Sequence, residues 1–424
     1  MDDRPVVARA PTGTHDVLWP ASARWQELVA RFCTQAELAN FGLVHTPLFE
    51  DVRVFRRGIG EDSAVVGKEM YEFEDRGGRL LALRPEGTAP MVRAFVQHRP
   101  PVPWKAWYVT PAFRYERPQA GRYRQHHQLG VEALGPADPD LDVEVIVLAD
   151  RFFRSLGLAD FELRINSMGD SACRPAYLDR LRAYLEDHDS ELCAEHRGHV
   201  GANPLRVLDC KRPECLAATA DAPALVDALC EPCRAHFERV REGLEAAGVP
   251  ATIDHRLVRG FDYYTRTTFE FSSSALEAAQ NGIGGGGRYD GLVEMLGGPP
   301  TPGIGFGIGI ERLLLACDAE DVFVVVPPQL DAFVVDVVGG WRARDLVDEL
   351  RLAGLRAERA YDQRSMKAQL KLADRSGARV AVIVGPDELA AGTVSVRPLR
   401  TDGGQWPVPQ VDVVTAVRDA ARDT

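Results

Sequence analysis

Trp104-Lys105-Ala106-Trp107-Tyr108-Val109-Thr110-Pro111-Ala112-Phe113-Arg114-Tyr115-Glu116 and Tyr123-Arg124-Gln125-His126-His127-Gln128-Leu129-Gly130-Val131-Glu132-Ala133-Leu134 flank the turn-like Pro118-Gln119-Ala120-Gly121. Both runs are rich in aromatic and β-branched residues, so they predict two antiparallel strands with a loop between them. That loop is basic: Arg114, Arg117, Arg122 and Arg124 stand against Glu116 alone, and anion handling is expected there first. Arg114 and Glu116 are two apart and share a strand face. A guanidinium there can grip a phosphate by two hydrogen bonds, and the carboxylate can hold a base edge or a metal. A surface ion pair fits the same pattern. On the second strand Gln128 and Glu132 also share a face, among Leu129, Val131 and Leu134. An amide and a carboxylate in such surroundings are costly to bury unless they bind something polar.

On the N-terminal side, Trp25, Leu28, Val29, Phe32 and Ala36 recur at helical spacing from Arg24 to Ala39, and Asn40-Phe41-Gly42 has the makings of a C-cap. Gly42 to Leu48 then reads as a strand in which Pro47 must sit at an edge or an irregular position. The first 165 residues are therefore α+β. From Ser171 to about Gly248 the texture changes to short helical patterns, an inserted helical subdomain. Strand-like and glycine-rich sequence returns over Ile253 to Phe271 and Gly282 to Gly309, followed by a helical Ile310 to Cys317. After Pro327-Pro328, strands at Phe333 to Val338, Arg379 to Val384 and Thr393 to Leu399 alternate with helices at Arg344 to Ala353, Ser365 to Ser376 and Val411 to Ala420. That alternation indicates a compact α/β domain of about a hundred residues. The expected division is 1–168 and 251–326 for an α+β domain, 169–250 for the insertion and 330–424 for the terminal domain.

A chain of 424 residues, 45% apolar and 26% charged, excludes disordered and fibrous classes. The longest uncharged apolar runs, Val322 to Leu330 and Ala332 to Val335, fall far short of the roughly 18 residues a membrane span needs. Met1-Asp2-Asp3-Arg4-Pro5 does not open a secretory signal, so a cytoplasmic location is expected, with no membrane partner. The net charge of −12 argues against indiscriminate nucleic-acid binding, and no DNA partner is expected. From Leu330 onward 14 basic residues balance 14 acidic ones, so that domain is free to accept RNA on one face.

Further segments carry chemistry. Leu83-Arg84-Pro85-Glu86-Gly87-Thr88 precedes a helical Met91 to Gln97, where Thr88 reads equally as a helix N-cap or as a ligand. Leu257 to Thr265 sets Arg259 beside Tyr263 and Tyr264; in a strand these tyrosines point to opposite faces, which makes one of them core. Gly284-Gly285-Gly286-Gly287-Arg288-Tyr289-Asp290 is a backbone a ligand can approach closely, or an ordinary loop. Pro302 to Arg312 alternates glycine with apolar residues before a helix and is no Walker-type phosphate loop, because no Lys-Ser or Lys-Thr follows. Of eight cysteines, Cys193, Cys210, Cys215, Cys230 and Cys233 lie together. Cys210, Cys215, Cys230 and Cys233 have a spacing compatible with one tetrahedral structural zinc site, against a reading as free thiols; His188, Cys193, His196, His199 and His236 lie nearby.

Together these segments resemble the class II aminoacyl-tRNA synthetases, and within them the chain is similar to the bacterial type of the histidyl-tRNA synthetase family over nearly its whole length. Phe41 to Pro47 matches the first class motif, Phe113 through Gln128 the second and Gly305 to Arg312 the third. Leu257 to Thr265 and Gly284 to Leu292 resemble the two histidine-specific motifs, while His126-His127 departs from the family's more usual aromatic before the histidine. The resemblance implies an antiparallel catalytic sheet flanked by helices, a helical insertion and a terminal α/β anticodon-binding domain. It further implies a homodimer that ligates L-histidine to tRNA(His), with ATP as substrate and Mg2+ assisting. Glu86, Thr88, Gln128 and Tyr263 would hold the α-amino group, and Glu132 and Tyr264 the imidazole. Arg114 and Arg259 would grip the α-phosphate, Arg312 the triphosphate tail, and Glu116, Arg117 and Arg122 would add contacts to ATP or the acceptor end. The competing resemblance is the histidine-sensing regulatory subunit of ATP phosphoribosyltransferase, which typically lacks the terminal domain and has degraded histidine motifs.

Overall fold

The computed structural model describes residues 8–60, 63, 65–201, 203–258, 260–277, 281–362 and 364–422. It divides into two compact units, Met1–Val325 and Val326–Thr424.

The first unit is built on an eight-stranded sheet. Trp104–Phe113 and Gln125–Leu134 pair antiparallel as expected, from Trp104 opposite Leu134 to Phe113 opposite Gln125. Gly303–Gly309, Gly282–Arg288, Thr265–Ser273 and Phe161–Ser167 follow, each antiparallel to the last. The two edges are short parallel strands, Gly42–Leu43 and Ala251–Ile253. The strand expected over Gly42 to Leu48 thus pairs at its first two residues only. Beyond them the chain passes Pro47, which has no N–H to give a ladder, and enters a separate three-stranded sheet at Phe49–Asp51.

One sheet face carries the apolar core because the strand period is two. Trp107, Val131 and Phe306 lie in one register row, and the ring of Phe32 meets Trp107 and Phe306 edge to face at 5.9 and 6.2 Å. Phe32 comes from the helix Ala21–Leu38, which stops where the sequence indicated: Asn40 is left-handed, and the N–H groups of Asn40 and Phe41 bond back to the Glu37 and Ala36 carbonyls at 2.9 Å. The helix Pro139–Ser155, capped by Asp138 with proline at its first position, covers the same face.

Helices Arg174–Asp187, Leu205–Asp209, Pro213–Ala218 and Glu231–Ala246 make up the insertion. Its Leu181, Phe237 and Val240 belong to the same apolar cluster as the sheet. A buried polar bridge adds to this seam: Asp142 accepts two hydrogen bonds from Arg288, at 2.8 and 2.6 Å, and faces His236 Nε2 at 3.0 Å. Arg288, from the glycine-run motif, is wholly buried in that bridge.

In the second unit the strands Ala332–Asp336 and Val380–Val384 are parallel and buried along their whole length. Trp341–Leu352 and Val413–Arg422 pack on one face of this sheet and Met366–Arg375 on the other, the arrangement that fully apolar parallel strands require. Three of its strands extend to antiparallel or parallel neighbours at Ala357–Arg359, Thr393–Pro398 and Trp406–Pro409.

Candidate active site

On the sheet face opposite the core, glycines leave room for a trough. Gly303, Gly305, Gly307 and Gly309 alternate with Ile304, Phe306 and Ile308, so one face of that strand is apolar and the other bare. The register aligns Tyr108, Gly130, Gly307, Gly285 and Glu270 in one row and Ala106, Glu132, Gly305, Gly287 and Thr268 in the next. The bare positions are occupied from the side: a Cβ on Gly305 would stand 1.9 Å from Glu132 Oε2, and one on Gly130 would stand 2.4 Å from the Tyr108 hydroxyl. The result is a cleft of about 400 Å³, of the size that holds a small ligand.

Its floor is polar and dry. Glu132 is 0% exposed; Thr88 Oγ1 donates to its Oε1 at 2.7 Å and the Tyr289 hydroxyl to its Oε2. Burial pushes the Glu132 carboxyl up to about 8, against the pull of the Tyr289 and Thr88 hydroxyls. Glu86 is likewise buried and raised by burial, while its two oxygens accept the Thr88 and Ala89 backbone N–H groups at 2.6 and 2.7 Å. Glu86 therefore caps the helix Thr88–His98. Thr88 is the first residue of that helix and its hydroxyl serves Glu132, which decides between the two readings of Thr88 against the cap. Gln128 presents a buried Oε1 that has no partner among the described residues. Tyr263 and Tyr264 are both buried, 4.6 Å apart, and both line the cleft. Both also pack in the apolar cluster with Tyr289 and Leu292, so each is core and cleft wall at once; they precede the Thr265–Ser273 strand, where alternation does not apply.

The mouth is cationic. Arg114 is fixed by donating from Nε to the Pro85 carbonyl at 2.8 Å and lies over the Phe261 ring at 5.6 Å. Arg122 pairs with Glu116 at 2.6 Å across the tip of the arginine loop, which closes through reciprocal backbone bonds between Gln119 and Arg122. Arg312, in the first turn of Ile310–Ala319, donates from Nη1 to the Gly282 carbonyl at 3.0 Å; its Nε is buried with no partner among the described residues. Burial first, then Arg122, lowers the Arg312 pKa, with Glu116 and Glu270 opposing. His126, between these guanidiniums, is held down to about 3 by burial and then by Arg114, so its ring stays neutral.

A histidyl-tRNA synthetase family model matches residues 13–313, and an anticodon binding domain model matches 324–420. The chain is 49% identical over 415 residues to the histidine–tRNA ligase of Rhodococcus erythropolis, covering 97% of both chains. It is equally identical to that of Moorella thermoacetica, over 96% of this chain and 97% of the other. The crystal structure of apo S. aureus histidyl-tRNA synthetase superposes with a TM-score of 0.81 at 35% identity, over 97% of this chain and 100% of that one. The chain belongs to the histidyl-tRNA synthetase family.

Of the residues singled out for the family's chemistry, Glu86, Thr88, Arg114, Glu116, Arg122, Gln128, Tyr263, Tyr264 and Arg312 line one cleft, with Glu132 directly beneath Thr88. Arg259 lies outside the described residues. Arg117 is exposed on the loop and does not line the cleft. Reading residues one strand at a time missed Tyr108, Tyr289, Glu270, Glu311 and His126. Tyr108 and Glu270 share a row only through five-strand register, whereas Tyr289 was visible inside the glycine-run motif and His126 beside His127.

The expected zinc ligands do not form one site. Cys210 and Cys215 gather with Cys193 and His196, while Cys230 and Cys233 gather with Asp170 and Cys173. The segment between Cys215 and Cys230, with its short turn Leu225–Ala228, carries the second pair to the start of the insertion, so sequence proximity did not become contact.

Proposed function

We propose that this cleft activates L-histidine with ATP and transfers it to the 3′ end of tRNA(His), the reaction for which its relatives are named. The observation that carries the reading is the buried acid floor, Glu132 with Thr88 and Tyr289, set under a trough whose mouth holds Arg114 and Arg312. Thr88 donates its proton to Glu132, which leaves the hydroxyl lone pairs to accept from the α-ammonium together with Glu86, Gln128 and the Tyr263 hydroxyl. The imidazole then lies against Glu132 and Tyr264. A side chain without a ring N–H cannot add to the hydrogen bonds that Thr88 and Tyr289 already give Glu132, and forgoing that contact is how such a site rejects other amino acids.

In the first step a histidine carboxylate oxygen attacks the α-phosphorus, and the bond to pyrophosphate breaks. The attacking group is already ionised, so no protein base is needed; positioning and stabilisation of charge on the phosphate dominate. Arg114, and by family resemblance Arg259, meet that charge, while Arg312, which lines the cleft, meets the triphosphate tail. Glu270, on the cleft wall beside Arg312, is the carboxylate that would hold a Mg2+ ion arriving with the triphosphate, and that ion would supply positive charge to the departing pyrophosphate. In the second step the terminal ribose hydroxyl of tRNA attacks the acyl carbon and AMP leaves. The terminal unit takes the anticodon in this reading, in keeping with the model match over 324–420. A regulatory subunit lacking that domain fits this chain less well.

Histidine-dependent pyrophosphate exchange followed by charging of tRNA with labelled histidine tests the reading. Activity in both is expected, and histidine binding with neither would refute it in favour of the regulatory subunit. The reading includes a homodimer: Leu43 in the edge strand, Phe49 and Leu80 in the small sheet and Leu48 between them are exposed apolar residues. Sedimentation velocity should give twice the monomer mass, and a monomer at micromolar concentration would remove that part.

A further inference from the structure

We propose that Cys193, His196, Cys210 and Cys215 form a tetrahedral structural Zn2+ site inside the helical insertion, an inference independent of the synthetase reading. Their four donor atoms lie within 4.8 Å of one another. Cys193 Sγ stands 3.3 Å from His196 Nδ1 and 4.0 Å from Cys210 Sγ, and Cys215 Sγ stands 3.6 Å from His196 Nδ1. A tetrahedron with Zn–S near 2.3 Å and Zn–N near 2.05 Å requires S···S of about 3.8 Å and S···N of about 3.6 Å, so the ion fits with small adjustments of the side chains. A disulfide does not fit the same group, since its sulfurs would stand about 2.05 Å apart and His196 would have no part in it.

The surroundings are those of a closed site. Cys193 and Cys215 are buried, and the Cys193 backbone N–H donates to Cys215 Sγ at 3.4 Å, a bond that strengthens when the sulfur is a thiolate. All four ligands are protein groups, which leaves no open position for a substrate and makes the role structural. The ion would join three pieces of chain too short to hold themselves: the turn at 193–196, the five-residue helix Leu205–Asp209 that ends at Cys210, and the six-residue helix Pro213–Ala218. It would also fix one wall of the cleft, since Asp209 lines the cleft and the Leu208 and Cys210 carbonyls accept from Arg256 Nη2 at 2.8 and 3.1 Å. The second cluster serves as the contrast. It offers a carboxylate in place of the imidazole, and that carboxylate, Asp170, lies 3.8 Å from the Arg266 guanidinium, a cation competing for the same charge.

The test uses the full-length protein, expressed with zinc in the medium, purified without chelator and assayed for metal per chain. Wild type should carry zinc, Cys193→Ser with Cys215→Ser should carry one equivalent less, and Cys230→Ser with Cys233→Ser should keep that equivalent. Because the first double variant can fail to fold, His196→Cys provides a second measurement. Loaded with Co2+, it should retain the tetrahedral visible bands and gain thiolate charge-transfer intensity over wild type. Absence of zinc from wild type, zinc indifferent to the Cys193 and Cys215 changes, zinc lost with Cys230 and Cys233 alone, or a cobalt spectrum unmoved by His196→Cys would each overturn the proposal.

Discussion

Replacing Glu132 by glutamine keeps the shape of the cleft floor and removes its titration. In the folded chain burial raises this carboxyl from an ordinary 4.5 to about 8, so between those values the folded state holds a proton that the unfolded state has released. Stability contributed by the neutral acid is therefore complete below about pH 4.5 and is lost as pH rises through about 8. At about 1.36 kcal/mol for each tenfold the upper limit of that loss is about 5 kcal/mol. Water entering the empty cleft reduces it. Glu132→Gln has no such proton, and the Thr88 and Tyr289 hydroxyls can each turn to accept from an amide. Urea denaturation of the ligand-free protein should show wild type losing stability between pH 5 and pH 8.5 by several kcal/mol more than the variant, with the two closest at pH 5. The same variant should lower kcat/KM for histidine in pyrophosphate exchange by roughly 5- to 150-fold, the 1–3 kcal/mol of a buried polar group left with a mismatched partner. Parallel stability-versus-pH curves would refute the buried neutral acid. Near wild-type histidine activation would refute its place against the imidazole.

Gly305→Ala places a methyl at 1.9 Å from Glu132 Oε2, and with overpacking costing about 1–3 kcal/mol it should reduce histidine activation up to roughly 100-fold; an unchanged KM for histidine would show that the trough does not depend on bare glycines. Arg312→Ala should raise KM for ATP by roughly 10- to 100-fold and leave KM for histidine unchanged, and an unmoved ATP value in pyrophosphate exchange would remove Arg312 from the triphosphate. Asp142→Ala takes from the wholly buried Arg288 the more deeply buried of its two carboxylates, leaving only Asp290 at 3.2 Å, and should cost about 3–5 kcal/mol by urea midpoint, whereas a loss below about 1 kcal/mol would mean Asp290 or water takes its place.

Much of this was legible without coordinates because it depends on local period and turn chemistry. The aromatic and β-branched alternation of Trp104 to Leu134 dictates two strands, the arginine-rich turn dictates a cationic tip, and the Asn40 C-cap ends the first helix where the apolar spacing stops. The alternation of glycine with isoleucine and phenylalanine from Gly303 to Gly309 specifies a strand with one bare face. Its neighbour Glu132 was visible as a carboxylate with no apolar reason to be there. What covers that bare face was not visible, because Tyr108, Gly130, Gly307, Gly285 and Glu270 meet only through hydrogen-bond register, in which directly paired residues lie as far as 177 positions apart in sequence, from Gly130 to Gly307.

The same distinction separates the correct readings from the corrected ones. Residue types and spacings identified acids, arginines and thiols, and these are properties of the chain itself. Which atoms meet is a property of packing. Thr88 gave its hydroxyl to Glu132 because Glu86 had already taken the helix N–H groups, and two adjacent tyrosines entered one cleft because they sit in a turn. Four cysteines close in sequence parted into two clusters because Cys193 with His196, and Asp170 with Cys173, met them from other loops. Most strands and helices, the arginine loop and the choice of chemical groups follow from periods of two and 3.6 and from side-chain chemistry, all of which are local properties of the chain. The partners came from packing, since a hydrogen bond or a coordination shell depends on distances that no local pattern sets.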